Sequence, residues 1–282
     1  MLTQPPSILR PIRLALILGL AATLAACGGK DKETLDDVPP GDIFALGEAQ
    51  LNDGKAFQAA QTFNEIERLY PFSQLAKRAI IMSAYSSYNA NDFSGARSSA
   101  RRYLDLYPSD DDAPYAQHLI ALTYYDNIVD VGRDQGTTEQ ALTALRQVVN
   151  RYPESDYARD AQLKIDLTLD HLAGKEMEIG RYYLKRGHYL AAINRFRVVV
   201  EKYQTTSQTP EALHRLVEAN LSLGLEREAL ASAAVLGHNH PGSTWYANSY
   251  ALLTGRNLLP DDEDHGGFFK RVYRRVILGE WL

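Results

Sequence analysis

The sequence repeats a two-residue turn signal at intervals, and each copy follows an alanine at a fixed distance. The copies are Tyr70-Pro71, Tyr107-Pro108 and Tyr152-Pro153, with degenerate versions at Tyr203-Gln204 and His240-Pro241. Twelve residues before the second member of each pair stands an alanine: Ala59, Ala96, Ala141, Ala192 and Ala229. Self-similarity at a period of 20–50 residues is typical of stacked repeat architectures. The chain is therefore expected to fold as an array of about five similar units.

Each unit contains two helical segments. In the first unit, apolar residues at helical spacing form two stripes that are separated by Asn52-Asp53-Gly54. Proline ends the second stripe, because it lacks an N–H and disfavours helix in the residue before it. A single helix pair cannot bury its own apolar face, so neighbouring pairs must stack. The predicted fold class is all-α, an α-α superhelix, and an irregular helical bundle is the alternative.

Two units are longer than the others. The alanines are 37 residues apart at both ends of the array, but 45 and 51 residues apart in the middle. A polar connection between Tyr125 and Ala141 accounts for one excess. A further run at helical spacing, between Pro153 and Gly180, accounts for the other. We expect this run to extend the third unit into the first half of the fourth.

The pattern resembles the tetratricopeptide repeat. Gly47, Ala59, Phe63 and Pro71 stand at that family's small, aromatic and proline positions in the first unit. Small residues there let paired helices approach to about 8–10 Å. The resemblance implies a solenoid over residues 42–255 with a concave groove lined by the first helix of each pair. The candidate groove residues, several of which could instead pack neighbouring repeats, are Phe44, Leu51, Arg78, Ile81, Tyr85, Tyr88, Asn89, His118 and Tyr125.

The amino-terminal segment has the features of a secretory signal. Arg10 and Arg13 precede an apolar run over residues 14–24, which is too short to span a bilayer. The run ends in Leu24-Ala25-Ala26-Cys27, which resembles the lipobox of bacterial lipoproteins. We expect residues 1–26 to be removed, Cys27 to be lipidated, and residues 27–41 to form a flexible tether. A plain signal peptide with a chance cysteine is the alternative.

Composition excludes several function classes. Cys27 is the only cysteine, so no internal disulfide can form. A net charge of −5 disfavours a nucleic-acid binder with a globally basic surface. No zinc-protease, dinucleotide, P-loop or serine-hydrolase signature is present. We therefore expect no catalytic residues, no metal and no cofactor, and an enzyme with an unrecognised site is the disfavoured alternative.

The carboxyl-terminal segment, residues 256–282, combines a linker with a basic amphipathic stretch. At helical spacing its apolar and basic side chains fall on opposite faces. The stretch could cap the last repeat, dock on a partner protein or lie on an anionic membrane. Its characteristic residues are Phe268, Lys270, Arg271, Val272, Arg274, Arg275 and Val276.

The lipobox, the tether and the five repeats together resemble the BamD family of the β-barrel assembly machinery. The stretches that carry the resemblance are YPFS at residues 70–73, YPESDYA at 152–158, LAGKE at 172–176, YYLKRG at 182–187 and AAINR at 191–195. The degenerate Tyr203-Gln204 and the basic tail depart from the pattern.

The resemblance implies a non-catalytic lipoprotein on the periplasmic face of the outer membrane. Its partners would be the membrane-proximal POTRA domain of a BamA-type barrel subunit, other lipoproteins of the machinery and unfolded outer-membrane proteins. Arg195 is the candidate contact to the POTRA domain, although it could instead bridge neighbouring helices. A lipoprotein scaffold for cell-envelope or cell-wall machinery is the alternative function.

Overall fold

The computed structural model describes residues 35–259 and Arg274. The signal segment, Cys27 and the tail residues Phe268, Lys270, Arg271, Val272, Arg275 and Val276 lie outside the described residues. Arg274 is helical and exposed. The described ranges contain eleven helices and no strand: α1 (Pro40–Asn52), α2 (Ala56–Leu69), α3 (Gln74–Asn89), α4 (Phe93–Leu106), α5 (Ala113–Tyr125), α6 (Gly136–Arg151), α7 (Asp156–Lys185), α8 (Tyr189–Lys202), α9 (Thr209–Ser222), α10 (Glu226–Asn239) and α11 (Thr244–Thr254).

Consecutive helices pack against one another along the whole array. Each helix from α1 to α10 contacts the next, and the first helices of neighbouring pairs also touch, as α1 does with α3, α3 with α5 and α5 with α7. The last helix, α11, packs on α9 and α10. The predicted all-helical superhelix of stacked pairs is confirmed.

The five register alanines occupy equivalent buried positions. All five are completely buried, one in each of α2, α4, α6, α8 and α10. The turn residue that follows each second helix has φ between −127° and −135°, and this holds at the degenerate positions Tyr203 and His240 as well. The degenerate copies are therefore true copies of the turn, although Tyr203 has no following proline.

The turns inside the pairs are tight and need left-handed backbone. Gly54, Gly187 and Gly224 have φ near +75°, and Asn91 takes the same role in the second pair with φ of 57°. Glycine adopts this conformation at little steric cost, and asparagine is the next most tolerant residue. These positions explain why Gly or Asn separates the two helical stripes.

Both insertions are visible in the fold. Residues 126–135 connect α5 to α6 outside regular helix, and α7 is a single helix of 30 residues. The first half of α7 lies beside α5, where His118 and Tyr125 reach it, while its second half packs with α8. The inserted loop lies against that second half, where Lys175 Nζ donates to the Gly132 carbonyl over 2.9 Å.

Candidate functional site

A depression lies between α3 and α5, on the side where the first helices of the pairs face one another. Its volume is about 330 Å³. Its lining combines a cation, an apolar floor, two phenols and one carboxylate: Arg78, Ile81, Met82, Tyr85, Asp112 and Tyr115. Of the nine residues predicted for the groove, the structure therefore brings Arg78, Ile81 and Tyr85 together.

The chemistry of this depression suits an extended peptide. Ile81 is 7% exposed and forms an apolar floor, whereas Tyr85 is 37% exposed at the rim. The Arg78 guanidinium lies 5.1 Å from the centre of the Phe44 ring, and it makes no ion pair within the described ranges. Its donors are therefore available to a carboxylate.

Phe44 and Leu51 belong to the core rather than to the groove surface. Phe44 is 6% exposed and meets Phe63 edge-on, with ring centres 5.2 Å apart. Leu51 packs half-buried on the same cluster. Phe44 supports Arg78 from below, and Leu51 packs on the cluster that holds Phe44. Asn89 is exposed at the end of α3.

The other predicted groove residues tie first helices to one another. The Tyr88 hydroxyl donates to Asp126 of the loop after α5, and burial together with this bond raises the pKa of Tyr88 to about 12. Lys164 of α7 lies 5.6 Å from the centre of the Tyr125 ring. These contacts set the spacing of the first helices around the depression.

His118 of α5 also contacts α7. Its ring centre lies 5.3 Å from that of Tyr157, and its Nε2 lies 3.1 Å from Asp160 Oδ2. Burial lowers the pKa of His118 more than Asp160 raises it, so the imidazole is neutral at neutral pH. It therefore adds an aromatic face rather than a positive charge.

Two aromatic residues of this surface were not predicted. Tyr115 lines the depression, and its ring lies 5.5 Å from that of Tyr157 at the start of α7. Burial raises the pKa of Tyr115, so its phenol stays protonated. Tyr115 lies three residues before His118 and shares its helix face, a signal that the sequence offered. Tyr157 could not be found in this way, because its place depends on how α7 crosses α5.

Arg195 lies on α8 and contacts the preceding helix. Its Nη1 donates to Glu176 Oε2 of α7 over 3.1 Å, and its side chain is 43% exposed. An exposed ion pair of this kind contributes little to stability. The exposed part of the guanidinium keeps donors that a partner could use.

Neither a metal centre nor a membrane span is found among the described residues. Within residues 35–259, no three His, Cys, Asp or Glu side chains converge as metal ligands would. No helix in the described ranges combines the length and the apolar character needed to cross a bilayer.

The fold defines a helical-repeat protein of the tetratricopeptide type. The family described as "YfiO: Outer membrane lipoprotein" matches residues 36–236. The chain is 48% identical to the outer membrane protein assembly factor BamD of Caulobacter vibrioides, covering 94% of this chain and 88% of that protein. The chain belongs to this family of outer membrane lipoproteins.

One further relative and one solved structure are also similar to the chain. The chain is 40% identical to the outer membrane protein assembly factor BamD of Rickettsia prowazekii, covering 85% of this chain and 96% of that protein. A thermophilic TPR protein of Thermus thermophilus overlays with a TM-score of 0.35 at 19% identity, covering 78% of this chain and all of that one.

Proposed function

We propose that this chain is an outer membrane protein assembly factor, a subunit of the machinery that inserts β-barrel proteins. The observation that carries the proposal is its 48% identity, over almost its whole length, to a protein of that name. The chain acts without catalysis, as a scaffold. It sits on the periplasmic face of the outer membrane, held there by lipid on Cys27.

The depression between α3 and α5 receives segments of unfolded outer-membrane proteins. An unfolded segment presents apolar side chains and an unpaired backbone, which need an apolar floor and aromatic walls rather than a deep closed pocket. Ile81 supplies the floor, while Tyr85 and Tyr115 supply the walls. Arg78 pairs with a carboxylate of the segment, either a side chain or a chain terminus.

The carboxyl-terminal repeats hold the partner subunit. The partner is a BamA-type barrel subunit, bound through its membrane-proximal POTRA domain, and other lipoproteins of the machinery join the same complex. Arg195 is the proposed polar contact, because its ion pair with Glu176 leaves part of the guanidinium exposed. The two binding functions thus lie at different places along one array.

Substitution of Tyr85 tests the groove assignment. We expect Tyr85→Ala to weaken binding of a labelled carboxyl-terminal peptide of an outer-membrane protein by about fivefold or more, because an aromatic contact of about 1 kcal/mol or more is lost. Fluorescence polarisation measures the affinity. The matched control is Tyr182→Ala, since Tyr182 is 52% exposed on the second half of α7 and does not line the depression. Equal affinity for both variants, with the fold intact by circular dichroism, would remove the assignment.

A further inference from the structure

A second and larger cleft lies between α4 and α6, with α5 as its floor. Its volume is about 650 Å³. The α5 residues that line it are Gln117, Ile120 and Tyr124, whereas Tyr115 and His118 face the other side. At 3.6 residues per turn the two sets point about 150° apart around α5. The cleft is therefore on the opposite side of the solenoid from the groove, and no part of the proposed function uses it.

Arg101 lines one end of the cleft and Arg97 lines the adjoining depression, and both arginines donate hydrogen bonds to hydroxyls. Arg97 donates to Thr123 Oγ1 and lies 4.7 Å from the centre of the Tyr124 ring, and Arg101 donates to the Tyr124 hydroxyl; both hydrogen bonds are 3.2 Å long. Neither guanidinium makes an ion pair with a carboxylate in the part of the chain that the structure describes. A guanidinium has five N–H donors, so each of these keeps donors for a ligand.

The middle of the cleft is apolar and flanked by amides. Leu104 and Ile120 are largely buried and form its base. Gln117 Nε2 of α5 donates to Gln147 Oε1 of α6 over 3.3 Å where the floor meets one wall, and Gln140 lies about two turns nearer the start of α6. Primary amides both donate and accept, which is what an extended backbone with free N–H and C=O groups needs.

The charges and dimensions of the cleft indicate one kind of occupant. The cleft follows α6 from Gly136 to Arg151, a helix of 16 residues and so about 24 Å long. An extended segment of about seven residues spans that length. The carboxylates Asp105 and Glu139 also line the cleft, and Arg101 and Arg151 offset them. Arg97 beside Arg101 adds a further positive charge at that end, whereas Arg102 there is paired with Glu67.

We propose that this cleft binds an extended segment of a partner protein with acidic residues at one end. The acidic residues pair with Arg97 and Arg101, the following side chains lie on Leu104 and Ile120, and the backbone bonds to the glutamines. The partner's segment and an unfolded substrate can then occupy the solenoid together, because they use opposite sides of α5.

Degenerate peptide pools test this assignment. One pool of labelled eight-residue peptides begins Asp-Asp and is random elsewhere, and the matched pool begins Lys-Lys. We expect the soluble solenoid domain together with its tail, anchored to a sensor surface through residue 27, to bind the acidic pool and not the basic one. Arg101→Glu should weaken this binding by about tenfold or more, because hydrogen bonds to a charged group are lost. Thr143→Trp should also abolish it, since Thr143 is an exposed lining residue whose enlargement fills the cleft.

Two controls make the outcome decisive. Arg146→Glu reverses an exposed arginine on the same helix that does not line the cleft, and it should bind like the wild type. Tyr85→Ala, which damages the groove, should also bind like the wild type, so failure of the groove and failure of the cleft are distinguishable. Equal binding of both pools, an Arg101→Glu variant with unchanged affinity, or binding of vesicles with anionic lipid in place of peptide would overturn the proposal.

Discussion

At the scale of single residues, the array depends on matching small side chains with large ones where paired helices cross. Gly47 of α1 lies against the Phe63 ring of α2, and Gly180 of α7 lies against Phe196 of α8 in the same manner. In the fifth pair the larger residue is on the first helix: Val217 stands where the first and fourth pairs have glycine, and Ala233 stands where they have phenylalanine. Both lie in one buried cluster. The combined volume, rather than either residue alone, is what the crossing requires.

Gly47 offers the sharpest test of this packing. A Cβ placed on Gly47 would lie 2.7 Å from Cε1 of Phe63, so alanine forces the ring or the helix to move. We expect Gly47→Ala to reduce the free energy of unfolding by about 1–3 kcal/mol, as overpacked cores do. Urea denaturation measures the change. Gly41→Ala in the same helix is the control, because nothing lies within 4 Å of a Cβ there, and a comparable loss in that variant would contradict the packing explanation.

At the scale of elements, much of the helix order could be predicted, because the turn signals and register alanines recur in the chain itself. The continuous α7 and the side-by-side placement of Tyr115 and Tyr157 could be predicted only in part. Apolar residues at helical spacing show that a helix exists, but they do not show which earlier helix its first turn packs against. The same limit applies to Phe44, whose helical stripe does not show how deeply the ring is buried.

The carboxylate of Asp110, in the turn between α4 and α5, ties that turn to α3 and α4. Asp110 accepts from Lys77 Nζ of α3 over 2.6 Å and from the Tyr103 hydroxyl of α4. These two bonds lower the pKa of Asp110 to about 2. An unfolded aspartate titrates near pH 4, so the ionised group stabilises the fold above about pH 4 and loses that effect as the pH falls towards 2.

Replacement of Asp110 should therefore change the acid stability of the protein. We expect the free energy of unfolding of Asp110→Asn to fall less between pH 4 and pH 2 than that of the wild type. Urea titrations at several pH values measure it. Asp111→Asn serves for comparison, because Asp111 is exposed in the same turn and accepts no hydrogen bond from the described residues. An identical pH dependence in wild type and Asp110→Asn would show that this carboxylate does not link the helices energetically.

At the scale of the whole molecule, the proposed ligands use separate surfaces of the solenoid. The groove between α3 and α5, the cleft between α4 and α6, and the exposed edge of Arg195 on α8 lie on different faces or different repeats. A stacked array suits this use, since each repeat contacts mainly its neighbours and leaves its outer surface open. In this proposal, lipid on Cys27 holds the protein at the membrane.

The lipid anchor can be tested in cells. We expect Cys27→Ala to move the protein from outer-membrane fractions to soluble periplasmic fractions, because the remaining chain has no acyl chains to insert. Immunoblots of fractions washed with carbonate measure the distribution. Gly28→Ser is a suitable control, since this substitution leaves Cys27 in place. Retention of Cys27→Ala in washed membranes would show that another tether dominates.

Co-purification shows directly whether this chain works within a β-barrel assembly complex. The protein is isolated with a carboxyl-terminal tag from membranes solubilised in mild detergent, and its partners are identified by mass spectrometry. We expect a barrel subunit with POTRA domains to co-purify with the tagged protein. Arg195→Glu should reduce the yield of that subunit, whereas Arg146→Glu should not. Recovery of cell-wall or division proteins with no barrel subunit would instead assign the protein to a different envelope scaffold.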